Sequence, residues 1–362
     1  MSSQIGQSKQ SIEYQYDRLE KVEMSEANRF IVRKYLDRLK LRGVKDTTLR
    51  NNIEAILFIA KNYPYNFATA TEHSIAEFKD KLDSHVYITK RRDGSTRRLA
   101  EATKQQYKLI LKILLRLAGC DEVAQQIQTK NVSSSKMPED ILTDADIDSM
   151  LNATRNLRDA ALIATLYETG CRRGELLSCS IRSLTFTANG ARLQVTGKTG
   201  ARVVPLVFSV PYLRKWLEVH PLRNDSGAPL WILSRTTIID GVSIRDAAMT
   251  PAALTAILKS IAHDAGITKR INPHSFRHAR ATRLAGAFSE QQMKRFLGWT
   301  SASAMPAVYV HLSGRDIEDA TLAMYGVAAS KQPTAIQVRK CPVCDKIVSQ
   351  SAKYCDVCGA QL

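Results

Sequence analysis

The sequence predicts a mainly α-helical protein in two domains. The first is a helical bundle, the second an α+β unit whose strands are confined to a small hairpin, and a miniature cysteine-paired unit closes the chain. Three observations carry this. Apolar residues recur at helical spacing from Ser25 to Gly119. One alternating stretch, Arg192 to Leu206, interrupts the helical pattern of the second half. At 362 residues the chain is long for a single core, and its 44% apolar content suits folded domains.

In order, residues 1–20 are polar and are expected to form a flexible arm. Residues 21–120 form the helical domain. Phe30, Val32, Tyr35, Leu36, Leu39 and Leu41 make one amphipathic run with Arg33, Lys34, Arg38 and Lys40 between them. Leu49, Ile53, Ile56, Leu57 and Ala60 make a second, and Tyr107 to Leu117 a third that carries Lys108, Lys112 and Arg116. A basic turn, Lys90 to Arg98, lies between them. Residues 121–140, with Ser133 to Ser135 and Lys136, read as a linker. The second domain spans 141–326. Thr143, with Asp146 three residues on, is a candidate helix cap. Arg158 to Glu168 reads as a buried helix that stops at Gly170, and Lys198, Thr199 and Gly200 fall at the hairpin tip. Mostly helices follow to about Gly326. Residues 327–340 form a second linker before the unit at 341–362.

The formal charge of +17 and pI near 9.6 favour a polyanionic partner bound in a salt-sensitive way. A basic protein kept soluble by its charge, or one associated with ribosomes, is the plainer reading of charge alone. No run of about 18 apolar residues occurs and the N-terminus is polar, so a cytoplasmic, nucleoid-associated protein without membrane attachment is expected.

The residues that carry chemistry lie in the second domain. Arg172 starts a helix just past Gly170, with Glu175 one turn on to hold its guanidinium. Asn272-Pro273-His274 is a helix start, which puts His274 and Arg277 on one face near free N–H groups that attract phosphate. His274 and His278 share the spacing of a zinc-protease helix, but the glutamate beside the first is missing and Arg277 would repel a cation. Gly197-Lys198-Thr199 lacks the glycine spacing and the following helix of a P-loop. Two arginines, a lysine and a histidine can surround one phosphate, and Tyr309 offers a hydroxyl to attack it. A phenol must be activated to do so, and surrounding positive charge favours phenolate. His274 is the first candidate to take its proton and His311 the second. No clustered Asp/Glu set suggests a two-metal nuclease.

In this order Arg172, Lys198, His274-Ser-Phe-Arg277, Leu297-Gly-Trp299 and Tyr309 closely resemble the tyrosine recombinases, the phage integrases with their Xer and Cre relatives, most nearly those of archaea and their viruses. The resemblance covers about residues 25–326. It implies an N-terminal core DNA-binding domain and a catalytic domain whose catalytic residues are Arg172, Lys198, His274, Arg277, Trp299 and Tyr309, with Glu175 in support. It selects Arg172 over Arg173 and makes Lys198 the proton donor to a leaving 5′ oxygen. Trp299 stands where the family has His or Trp; it can stabilise a phosphate but cannot shuttle a proton. Implied too are a 3′-phosphotyrosyl intermediate formed without metal or ATP, double-stranded DNA carrying a specific site as partner, and a homo-tetramer on two sites. Neighbours would exchange a C-terminal element, for which Arg315 to Tyr325 is the candidate. Two alternatives share the scaffold: a DNA-bound regulator that no longer cleaves, and a relaxing type IB-like topoisomerase.

Cys341-Pro-Val-Cys344 and Cys355-Asp-Val-Cys358 have the spacing of a closed four-thiolate zinc ribbon, in which the metal is structural. DNA, another subunit or an accessory protein are its candidate partners. Cys120, Cys171 and Cys179 read as core filling, with Cys171 beside Arg172 a candidate oxidant sensor.

Overall fold

The computed structural model describes residues 11–84, 98–130, 141–233, 237–239, 242–244, 247–312, 325, 338–349 and 352–362. They form two compact units, Met1–Ser135 and Lys136–Leu362. The basic turn at 90–97, most of the expected exchange element and the linker residues 131–140 and 327–337 lie outside the described residues.

The first unit contains α1 (Ile12–Lys21), α2 (Glu26–Leu41), α3 (Asp46–Asn62), α4 (Glu72–Ser84), α5 (Glu101–Leu117) and α6 (Asp121–Gln126). Its core is built on α3 and α5, with Ile53, Ile56, Leu111, Leu114 and Leu115 fully buried. Residues 12–20 are therefore not a flexible arm. Ser11 caps α1, whose Leu19 is buried and which packs against α3. The apolar positions Ile12, Tyr16 and Leu19 carry this signal beneath a polar composition. Likewise α6 begins inside the expected linker, and Ala124 and Ile127 close the core. On α2, Val32, Tyr35 and Leu36 are buried, but Phe30 and Leu41 face solvent with Arg33, Lys34, Arg38 and Lys40. On α5, Lys112 turns its ammonium onto the Ile127 carbonyl at 2.9 Å.

The second unit is organised around α8 (Leu157–Thr169), which is buried on every side from Ala161 to Thr169. Asn156 caps its start, and Gly170, at φ 57°, ends it in the left-handed conformation that glycine adopts at least cost. Packed on it are α7 (Asp144–Asn152), α10 (Val210–Glu218) and α12 (Pro273–Ala287). The Thr143–Asp146 capping box starts α7, and Asn272 with Pro273 starts α12. Beside them lies a three-stranded antiparallel sheet of β1 (Leu184–Thr187), β2 (Gly190–Gly197) and β3 (Gly200–Leu206), in that order. The hairpin β2–β3 turns at Lys198 and Thr199, and β1 adds a strand that the alternation did not announce. A second, short hairpin of β4 (Thr237–Ile239) and β5 (Val242–Ile244) interrupts the stretch expected to be helical. After it come α11 (Pro251–Asp264), α13 (Glu290–Leu297) and α14 (Met305–Leu312). The C-terminal hairpin of β6 (Arg339–Lys340) and β7 (Ile347–Val348) packs β7 against α10.

One buried acid fixes the junction between β3 and α10. Glu168 on α8 accepts the backbone N–H groups of Val207, Phe208 and Ser209 at 2.7, 2.9 and 2.8 Å, and the Ser209 hydroxyl at 2.6 Å. It thereby supplies acceptors to the three amides of the turn that leads from β3 into α10. Glu168→Ala leaves them without an acceptor. Denaturant unfolding should show the second unit destabilised by about 3 kcal/mol or more, at roughly 1–3 kcal/mol for each orphaned buried donor.

Candidate active site

The chain leaves α8 at Gly170 and enters α9 (Arg173–Leu177) with Arg172 as its N-cap residue. Glu175, only 2% exposed, reaches back to the cap. Its carboxylate accepts the backbone N–H of Arg172 at 3.0 Å and the guanidinium of the same residue at 2.7 Å. Its other partner comes from β3: Arg202 Nη2 donates at 2.8 Å. Burial by itself would raise this carboxyl, yet hydrogen bonds from Arg202 and Arg172 hold it down at about 2. The fit is tight enough that a Cβ on Gly197, at the end of β2, would lie 2.4 Å from Glu175 Oε1.

Both family arginines are then anchored on the C-terminal end of α13, where free carbonyls and the helix dipole favour cations. Arg172 donates from Nη1 and Nη2 to the Gly298 carbonyl at 3.1 Å. Arg277, buried on α12, donates to the Gly170 carbonyl at 2.9 Å and the Leu297 carbonyl at 2.6 Å. Burial, with the charge of Arg172 next, lowers Arg277 to about 10, so it remains a cation at neutral pH. Gly298 sits at φ 62°, and a Cβ there would fall 2.5 Å from Arg202 Nη1. The hairpin tip is tied to the same carbonyl, since the Thr199 hydroxyl donates to Gly298 O at 3.1 Å. Lys198 beside it is exposed.

The residue after Gly298 completes the pocket. Trp299 lies under the Arg277 guanidinium, 5.6 Å from ring centroid to Cζ. Tyr309 on α14 stacks on Trp299, with ring centroids 5.7 Å apart and planes 13° from parallel. Tyr309 is buried, at 2% exposure, and its hydroxyl oxygen lies 2.6 Å from His278 Nδ1. His274, exposed at the start of α12, meets His278 edge-on with centroids 4.4 Å apart. The side chain of His311 lies outside the described residues. Burial pushes the Tyr309 phenol up to about 12, and Arg277 only partly opposes it. The positive cluster therefore does not yield phenolate in this state, contrary to the expectation from charge alone. Cys171 is fully buried and its thiol is raised by burial, which removes the thiolate an oxidant sensor needs.

The fold thus brings Arg172, Glu175, Arg277, Trp299 and Tyr309 around the turn 297–299, with Lys198 and His274 at its exposed margin. Sequence reading missed two members. Arg202 shares the inward face of β3 with buried Val204 and Leu206, so an alternation count places a charge on the core side. His278 was set aside as a metal ligand without being weighed as a partner of the tyrosine.

At the C-terminus the sulfurs of Cys341, Cys344, Cys355 and Cys358 all lie within 4.8 Å of one another, with the pairs 341–358 and 344–355 at 3.6 Å. Tetrahedral zinc with bonds of about 2.3 Å needs sulfurs about 3.8 Å apart, so the four thiols suit it. Each CxxC turn ends on a left-handed residue, Asp345 at φ 55° and Gly359 at φ 74°.

Two guanidiniums held at one turn, with a tryptophan between Arg277 and a buried tyrosine, make a compact basic site with a phenol beside it. Residues 140–315 match the sequence model of the phage integrase family. Tyrosine recombinase XerD of Yersinia pestis is 25% identical over 306 residues, which span 80% of this chain and 95% of that protein. Tyrosine recombinase XerC of Pelobacter propionicus is 32% identical over 160 residues, 43% of this chain and 48% of that one. The fold is shared with XerH recombinase in its post-cleavage complex with palindromic difH substrate, at TM-score 0.56 and 20% identity over 87% of this chain and 94% of that one. A lambda integrase(75-356) dimer bound to a COC′ core site gives TM-score 0.57 at 16% identity, over 76% and 96% of the two chains. Over residues 140–315 the chain is similar to the phage integrase family, and the relatives matched across most of its length are tyrosine recombinases.

Because Glu175 titrates near 2 when folded and near 4.5 otherwise, its contribution to stability is complete above about pH 4.5 and is lost as pH falls through 2. Glu175→Gln should lower stability at neutral pH and flatten the acid limb of a stability–pH profile measured by denaturant titration.

Proposed function

We propose that the protein is a site-specific DNA recombinase, an integrase that cuts and rejoins duplex DNA through Tyr309. The tyrosyl oxygen forms a bond to the scissile phosphorus while the bond to the 5′ oxygen breaks, leaving a 3′-phosphotyrosyl link and a 5′-hydroxyl. A 5′-hydroxyl from a second strand then reverses the step. Bond energy is kept in the ester, so neither ATP nor a metal takes part in strand exchange. Arg172 and Arg277 neutralise the phosphate oxygens in the five-coordinate transition state, Trp299 donates its indole N–H, and His274 stands at the margin as a further donor. Lys198 supplies the proton of the leaving 5′ oxygen from the hairpin tip. Glu175 positions Arg172.

The observation that carries this reading is the common anchor. Both arginines are held by carbonyls of residues 297 and 298, and the very next residue backs the tyrosine. A regulator without catalysis or a topoisomerase would need the same residues for no added reason, or would act without two sites. The relatives named above are recombinases, which favours the first reading. A homo-tetramer on two DNA sites, with exchange of a C-terminal element near Arg315 to Tyr325, is the corresponding assembly. Among the described residues no helix is long and apolar enough to cross a membrane, and a cytoplasmic, nucleoid-associated location fits the proposed substrate. The ribbon holds one structural zinc through Cys341, Cys344, Cys355 and Cys358 and offers a surface to DNA or an accessory protein.

With a nicked duplex carrying its site, the protein should form a covalent adduct in EDTA. Tyr309→Phe should bind that duplex with unchanged affinity and form none; an adduct with this variant sinks the assignment of Tyr309. Dependence of products on two copies of the site separates a recombinase from a topoisomerase. Elemental analysis of protein purified under reducing conditions should find about one zinc per chain, lost in Cys341→Ser and Cys358→Ser.

A further inference from the structure

His274 is one histidine of the site; the tyrosine rests against another. We propose that His278 is a catalytic residue whose Nδ1 takes the proton of Tyr309 as the tyrosyl oxygen closes on phosphorus. The inference rests on the recombinase reading above and deepens it.

The distance comes first. At 2.6 Å, Nδ1 and the Tyr309 oxygen are within the reach a general base requires. With its ring proton on Nε2, a neutral imidazole presents a lone pair at Nδ1 to accept the phenolic hydrogen. The placement is enforced by packing. Tyr309 stacks on Trp299, and the His278 ring lies 5.7 Å from it, tilted 45°. α12 and α14, which carry the pair, pack directly on one another. The need follows from burial. The phenol is pushed up to about 12, so Tyr309 carries its proton to the reaction and must pass it to a neighbour there.

The charged surroundings suit a group that begins neutral. On its own helix His278 has the His274 ring at 4.4 Å and the cation Arg277 beside it in sequence. On α14 stand Tyr309 and His311, the latter with an undescribed side chain. From α8, Glu168 is engaged by the amides of 207–209, and from α13, Lys294 by the Ser301 carbonyl. In the step, the Oη–P bond forms and the P–O5′ bond breaks. The phenolic proton ends on Nδ1, and the departing 5′ oxygen takes a proton from Lys198. Rejoining returns both protons by the same groups.

The test compares rates of covalent adduct formation on a nicked duplex for wild type, His278→Asn, His278→Gly and Lys198→Ala. It is repeated on a duplex with sulfur in place of the bridging 5′ oxygen, whose leaving thiolate needs no proton. Asparagine keeps an amide oxygen near the Nδ1 position and can hold the hydroxyl, but it cannot carry a proton. His278→Asn should therefore bind DNA as wild type does and form adduct about 100-fold more slowly. Added imidazole should accelerate His278→Gly, and the sulfur substrate should restore Lys198→Ala without restoring His278→Asn. A His278→Asn rate within about threefold of wild type shows that holding suffices and overturns the proposal. So does a sulfur substrate that rescues His278→Asn, which would place His278 on the leaving side. Absence of adduct from the wild-type protein on its site sinks the recombinase reading itself, and Tyr309→Phe run alongside keeps the two failures apart.

Discussion

A single buried carboxylate organises the site. Glu175 joins three pieces of chain that are distant in sequence: the start of α9 through Arg172, strand β3 through Arg202, and the end of β2 through its close contact with Gly197. Burying a carboxylate is costly, and two guanidiniums at 2.7 and 2.8 Å offset that cost. Removing the acid would leave the buried Arg202 and the partly exposed Arg172 without the counter-charge they share. Both terminal nitrogens of Arg172 are engaged by protein oxygens, so the N–H groups left over have a fixed direction. Preorganised donors of this kind need no rearrangement as charge develops.

The second constraint is the reversal at residues 297–299. Gly298 accepts both Arg172 and Thr199 through its carbonyl, and Leu297 accepts Arg277. The hairpin tip that bears Lys198 and the helix that bears Arg277 are thus registered to two adjacent carbonyls. Trp299 follows immediately and stacks on Tyr309, so the position of this tyrosine is tied to that of the arginines by one short segment.

Much of this was legible in the residues. The stop of α8 at Gly170, the caps at Thr143 and Asn272, and the hairpin tip at Lys198 follow from local signals that act within a few residues. The order Arg172, Lys198, His274, Arg277, Trp299, Tyr309 pointed to one phosphate site. What could not be read is which atoms meet. His278 and Tyr309 are 31 residues apart, and their contact depends on how α14 lies on α12. Arg202 hides in a strand because alternation tells which face a side chain takes, not what waits there. Helix α1 was lost to composition: a polar segment still folds when a few apolar residues fall on one stripe. The effect of charge on Tyr309 was misjudged for a similar reason, since sequence shows neighbours but not the desolvation that outweighs them.

Gly170 and Gly298 both close a helix in the left-handed conformation, and both leave no room for a side chain: a Cβ at the first meets the Arg280 side chain at 3.0 Å, at the second Arg202 at 2.5 Å. Anyone diversifying this protein to retarget it has a practical guide here. Libraries that randomise those two codons will fill with variants whose turns are strained, and their failure will say nothing about the other positions varied with them.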